Sequence, residues 1–154
     1  MIEELEKPKR LKMLPKTTLY VDAGTRNNGK RGFQSTIICV SDPVGNIHFE
    51  KIIGDYTINE GEILAILAGL TKVHPRRNKT MFSDSKIAVN WILHGWSESN
   101  RRAHEQKVGT AYHKRLAKFI DLARKEFYSK KHKIFWIPRT KNVAGWYLED
   151  KYKI

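Results

Sequence analysis

The sequence predicts a mixed α/β fold: a five-stranded sheet, three antiparallel strands then parallel β/α units, flanked by helices. Three observations carry this expectation. The first third of the chain holds three β-rich runs separated by clusters of Gly, Asn, Asp and Pro. From Asn59 onward the apolar residues change to a helical period. The remainder alternates short apolar runs with longer helical patterns, without an internal repeat or a linker.

Residues 17–23 form a β-rich run ending at Asp22-Ala23-Gly24, and TRNNGKRG after it reads as a turn, with Asn and Gly supplying positive φ. Residues 33–40 predict a second strand and 47–53 a third, joined through Ser41-Asp42-Pro43-Val44-Gly45-Asn46, which makes an antiparallel meander. Ile63, Ile66, Leu67, Leu70 and Val73 fall on one helical face, and that helix stops near His74-Pro75. Thr80-Met81-Phe82 is a short strand leading into a helix from about Ser85 to His94. Residues 95–109 are polar and basic, with no decisive period. Leu116, Phe119, Ile120, Ala123 and Phe127 stripe a helix over 111–127. Residues 134–137 make the last strand, broken at Pro138, and a short helix runs from Val143 to about Lys151.

At 154 residues the chain is long enough to bury a core without disulfides. The expected organisation is one domain over 17–154, preceded by a basic arm over 1–16 with Lys7, Lys9, Arg10, Lys12 and Lys16. That arm reads either as a solvated tail or as a nucleic-acid contact. Its charges, with Pro8 and Pro15, argue against a signal peptide or a spanning helix. Cys39 lies in an apolar run and reads as a buried hydrophobe, so zinc and disulfide chemistry are not expected. A cytoplasmic setting follows as an expectation. The net charge of +13, from 29 basic and 16 acidic side chains, suits a polyanionic partner but says nothing about chemistry.

Three acids stand out by placement. Asp22 ends a strand, Glu62 lies inside a helical pattern, and Asp84 ends another strand. Each has a structural alternative: Asp22 as a turn residue, Glu62 as the partner of an Asn59 cap, Asp84 as a helix cap. Thr57 and Glu60 offer the same capping spacing, which would leave Glu62 free to point into a site. Adjacent strands and a packed helix can bring all three acids to one end of a sheet. Converging hard oxygen ligands on rigid backbone are what a two-metal phosphodiester site needs.

The order VDAGT, NNG, TINEGEILA, FSDSKIA and WIPRTKN resembles the ribonuclease H family of the type-1 kind, over roughly residues 17–150. Glu62 with Ala65, and Ser83-Asp84-Ser85, are the most specific matches. The resemblance implies an endoribonuclease that cuts the RNA strand of RNA–DNA hybrids, acting as a monomer, with no membrane association. It implies two Mg²⁺ ions about 4 Å apart, with Mn²⁺ as a substitute, one activating water and the other stabilising the leaving 3′ oxygen. Asp22 would bridge the ions, and Glu62 and Asp84 would each bind one. Gly24, Asn27, Asn28, Asn59, Ser85, Arg139 and Asn142 would meet the nucleic acid, largely through 2′-hydroxyls. Lys141 is a further cation flanking the site.

Two departures stand out. Ile58 occupies a place where the family carries asparagine, and Gly145 stands where a fourth carboxylate is expected. Glu149, one helical turn on, is then either the substitute metal ligand and catalytic acid or a solvated surface residue. The basic stretch with Trp96, Arg101, Arg102 and Lys107 resembles the protrusion some family members set against the DNA strand. Trp91 reads as core. A catalytically weak or inactive nucleic-acid-binding module on this fold, and a related DNA or junction nuclease, are the competing readings.

Overall fold

The computed structural model describes residues 17–27 and 34–154. The basic arm over 1–16 and the turn residue Asn28 lie outside the described residues. Strand β1 spans Thr18–Asn27, β2 Gln34–Ser41 and β3 Ile47–Gly54. Helix α1 spans Ile58–Thr71, followed by β4 (Thr80–Ser83), α2 (Lys86–His94), α3 (Glu98–Val108) and α4 (Thr110–Tyr128). Strand β5 (Lys133–Trp136), a 3₁₀ turn at Arg139–Lys141 and α5 (Val143–Tyr152) complete the chain.

The sheet order is β3-β2-β1-β4-β5. β1 pairs antiparallel with β2, and β2 with β3, whereas β1–β4 and β4–β5 are parallel. This is the mixed five-stranded sheet expected from the sequence. β1 is longer than expected, because Thr25, Arg26 and Asn27 remain paired to β2 instead of opening a turn. The ambiguous 95–109 stretch is largely helical: Ser97 caps α3 by accepting from Asn100 N–H. No residue of α3 is buried, which is why apolar period could not announce it.

Local chemistry sets the ends of the helices. Thr57 and Glu60 close a capping box on α1, with Thr57 Oγ1 accepting from Glu60 N–H and Glu60 Oε1 from Thr57 N–H. Glu60 is thereby committed to structure and also takes both nitrogens of a bidentate Arg115 fork, at 2.5 and 2.7 Å, which ties α1 to α4. Ser85 caps α2 and Asn142 caps α5.

The sheet is covered on both faces. Leu19, Val21, Ile63, Ile66, Met81, Trp91, Ile92, Ile120 and Ile134 form the larger core beneath α1, α2 and α4. On the opposite face α5 lays Ala144 and Leu148 on Ile37 and Cys39. Cys39 is buried, and burial pushes its thiol up to about 12, so it stays protonated as expected of a packing residue. Among the described residues, no helix is long and apolar enough to cross a membrane.

Candidate active site

Asp22 lies in β1 on the α5 face of the sheet, and Asp84 follows the end of β4 beside it. Glu62 reaches them from α1, on the other face. Its approach depends on Gly61: a Cβ there would stand 2.6 Å from Thr36 Cγ2 and 3.0 Å from Ala23 Cβ. Without a side chain at 61, α1 packs closely on β1 and β2, and Glu62 Oε1 accepts from Ala23 N–H at 2.7 Å. The structure thus brings Asp22, Glu62 and Asp84 together, with one ligand oxygen from each lying within 4.8 Å of the others.

The electrostatics of this trio are those of a site that needs positive charge. Burial, reinforced by the Asp84 carboxylate, pushes Asp22 up to about 7. Burial and then repulsion from Asp22 and Asp84 push Glu62 well above the ordinary carboxylate range. Asp22 and Glu62 interact directly, so their protons belong to the pair rather than to either residue. The exposed Arg139 partly offsets the repulsion at Asp22. Three convergent carboxylates, two of them buried, make a donor set of hard oxygens, and divalent cations such as Mg²⁺ or Mn²⁺ fit it.

Asn142 has a different place from the one its sequence context suggested. The residue is 0% exposed, and its amide is engaged inside the protein. Nδ2 donates to Val21 O at 3.0 Å and to Asp84 Oδ2 at 3.1 Å, while Oδ1 accepts from Ala144 N–H at 3.2 Å. One amide therefore caps α5, ties it to β1 and orients a carboxylate of the acid trio.

Gly145 faces the acids directly: a Cβ there would be 3.0 Å from Asp22 Oδ2. Glu149 is not among the converging groups. It is exposed on α5, in an open cleft with Trp146, Asp150, Lys153 and Ile154. One helical turn from Gly145 has taken it out to solvent.

The remaining expected contacts are distributed over β1, α1, α2 and the region around α3. Asn59 is half-buried near the start of α1, and Asn27 ends β1 opposite Gln34. Gly24 lies beneath the Ile154 side chain, where a Cβ would come within 2.6 Å of Ile154 Cδ1. Ser85 Oγ accepts from Ala88 N–H, so that hydroxyl is engaged as a cap. Trp96 stacks on His113 at 5.2 Å and meets Trp91 edge-on at 5.1 Å, which occupies much of its ring. Arg101, Arg102 and Lys107 are exposed on α3, with Arg102 paired to Glu98 and Arg101 4.0 Å from Asp121. Trp136 ends β5 in the wholly apolar run IFWI, where the sequence carries no signal that sets it apart. Its indole N–H donates to Asp84 O at 3.0 Å.

A family model described as RNase H matches residues 15–143, which is most of the chain. The chain belongs to the RNase H family. The fold agrees with solved members of it. RNase H1 from the halophilic archaeon Halobacterium salinarum NRC-1 superposes with a TM-score of 0.59 at 19% identity, covering 89% of this chain and 98% of that one. LC11-RNase H1, solved in complex with RNA/DNA hybrid, gives 0.51 at 20% identity, covering 81% and 87%. A foamy viral protease-reverse transcriptase solved with dsDNA gives 0.53 at 18% identity, covering 92% and 100%. No curated protein matches the chain. At these identities the neighbours speak for the RNase H fold, and the carboxylate trio is this chain's own.

Proposed function

We propose that this RNase H-family chain is an endoribonuclease that hydrolyses the RNA strand of RNA–DNA hybrids by two-metal-ion catalysis. The observation that carries the reading is the convergence of Asp22, Glu62 and Asp84 within 4.8 Å, on the fold of this family. When bound, two divalent cations would supply Lewis-acid activation of water and stabilisation of the leaving oxygen. The chain's own groups prepare the site for them. Ala23 N–H fixes one oxygen of Glu62, Asn142 fixes one oxygen of Asp84, and both anchors are main-chain or fully buried. Preorganised carboxylates of this kind need no rearrangement to receive a cation. Arg139, whose charge reaches Asp22, would on this reading meet a phosphate oxygen. The hybrid-bound LC11-RNase H1 supports hybrid as the substrate class.

Gly145 favours a second reading, a hybrid-binding module with slow or absent turnover. With Glu149 in solvent, three carboxylates rather than four converge at the site among the described residues. Cleavage of labelled RNA–DNA hybrid, single-stranded RNA, duplex RNA and duplex DNA, with Mg²⁺ or Mn²⁺, separates the two. Hybrid-only cleavage that disappears in Asp84→Asn supports the nuclease. Tight hybrid binding without cleavage under either metal supports the binding module, and cutting of duplex DNA overturns both.

A further inference from the structure

Trp136 is an indole held rigidly at the edge of the acid trio, and neither the carboxylate site nor the core accounts for it. Its N–H is spent on the main-chain oxygen of Asp84, so the part left in solvent, 42% of the residue, is apolar ring. The Lys86 ammonium lies over that ring, 4.4 Å from its centroid. Lys86 is itself badly placed for helix stability. It occupies the first position of α2, where the helix dipole disfavours a cation, and the first turn holds no acid to compensate. The positive end of α2 and the Lys86 charge therefore add together within two residues of a metal-site carboxylate. An apolar ring tied by its N–H, beside an exposed ammonium at a helix N-terminus, matches the two surfaces of a nucleotide, its sugar and its phosphate.

We propose that Trp136 and Lys86 form a substrate-contacting platform, resting on the hybrid-nuclease reading above. The indole packs against a sugar of the strand whose phosphate lies at the carboxylates, and the Lys86 ammonium neutralises a flanking phosphate. The ring is preorganised for this, since its hydrogen bond to Asp84 and the overlying cation limit rotation before substrate arrives. The contact is indifferent to base identity, because sugar and phosphate are common to every nucleotide.

Steady-state cleavage of an RNA–DNA hybrid and its equilibrium binding across a salt series test the platform in Trp136→Ala, Trp136→Phe and Lys86→Gln. Trp136→Ala should raise KM roughly ten-fold, in line with loss of one stacking contact. Trp136→Phe keeps a ring but loses the bond to Asp84 O, so KM should rise less while kcat falls. Lys86→Gln should lower the slope of log affinity against log salt by about one. A merely structural role for Trp136 would lower the melting temperature and kcat while leaving KM and the salt slope untouched, and that result overturns the proposal. Lys86 is exposed, so its variant decides the question even if Trp136→Ala does not fold. Hybrid cleavage with KM and slope unshifted in both variants sinks the platform alone. An unaltered protein that neither binds nor cuts hybrid removes the platform together with the reading beneath it.

Discussion

Asp22 ionises near 7 instead of its ordinary 3.8 because it is buried beside Asp84. Below pH 3.8 the carboxyl is protonated whether the chain is folded or not. As pH rises the unfolded chain ionises first, so stability is lost progressively up to about pH 7, where the folded form ionises too. In chelator the protein should therefore melt at a higher temperature at pH 5 than at pH 8, by scanning calorimetry, as far as this site governs. Divalent cations compete with the same proton, so Mn²⁺ affinity measured by titration calorimetry should rise with pH through about 7, with proton release on binding. In Gly145→Asp the new Cβ starts 3.0 Å from Asp22 Oδ2, so the variant adds a carboxylate where repulsion is already high. It should be less stable than the parent in chelator and gain more melting temperature on adding Mg²⁺. Equal Mg²⁺ shifts in the two proteins would mean that position 145 does not address the metal site.

Among the elements, α1 bears the most responsibility for the site, and its C-terminal end is held by an unusual device. Lys79 is 1% exposed, and its Nζ donates to Gly69 O, Leu70 O and Val73 O at 2.9, 2.6 and 2.6 Å. All three ammonium donors are used on carbonyls around the end of α1, where the helix dipole favours a cation. Lys79→Met retains much of the volume but leaves three buried acceptors unpaired. It should cost about 2–3 kcal/mol in urea denaturation. A cost near zero would mean that water replaces the ammonium. Because α1 also carries Glu62, the variant should weaken metal binding in parallel with its stability.

At the scale of the whole molecule, charge is distributed unevenly between structure and surface. Glu60, Glu50 and Asp42 are taken up by internal partners: Arg115 for the first, Tyr147, Tyr152 and Lys151 for the second, His48 and the Asn46 loop for the third. Helix α3 is polar on all sides and presents Arg101, Arg102 and Lys107 to solvent. Replacing these three by Gln should reduce the slope of log hybrid affinity against log salt by about two to three while leaving the melting temperature within a degree or two. An unchanged slope would take α3 out of the binding surface.

Strand order, the helices other than α3, the acids of the trio, the Thr57–Glu60 box that releases Glu62, and the burial of Cys39 and Trp91 were all determined by local residue pattern. Each depends on neighbours in sequence or on the simple partition of apolar side chains. Only the tertiary structure decided the rest, because it turns on distances between segments far apart in the chain. Asn142 reads as a nucleic-acid contact until β1 and Asp84 are seen to close over it. Glu149 and Gly145 share a helical face by count, yet Gly145 meets Asp22 while Glu149, one turn on, is exposed to solvent. Trp136 looks like an ordinary strand aromatic until its N–H is found on Asp84 O and a lysine over its ring. The identity of the three acids was written in local pattern; how they are oriented, and what surrounds them, required the packed fold.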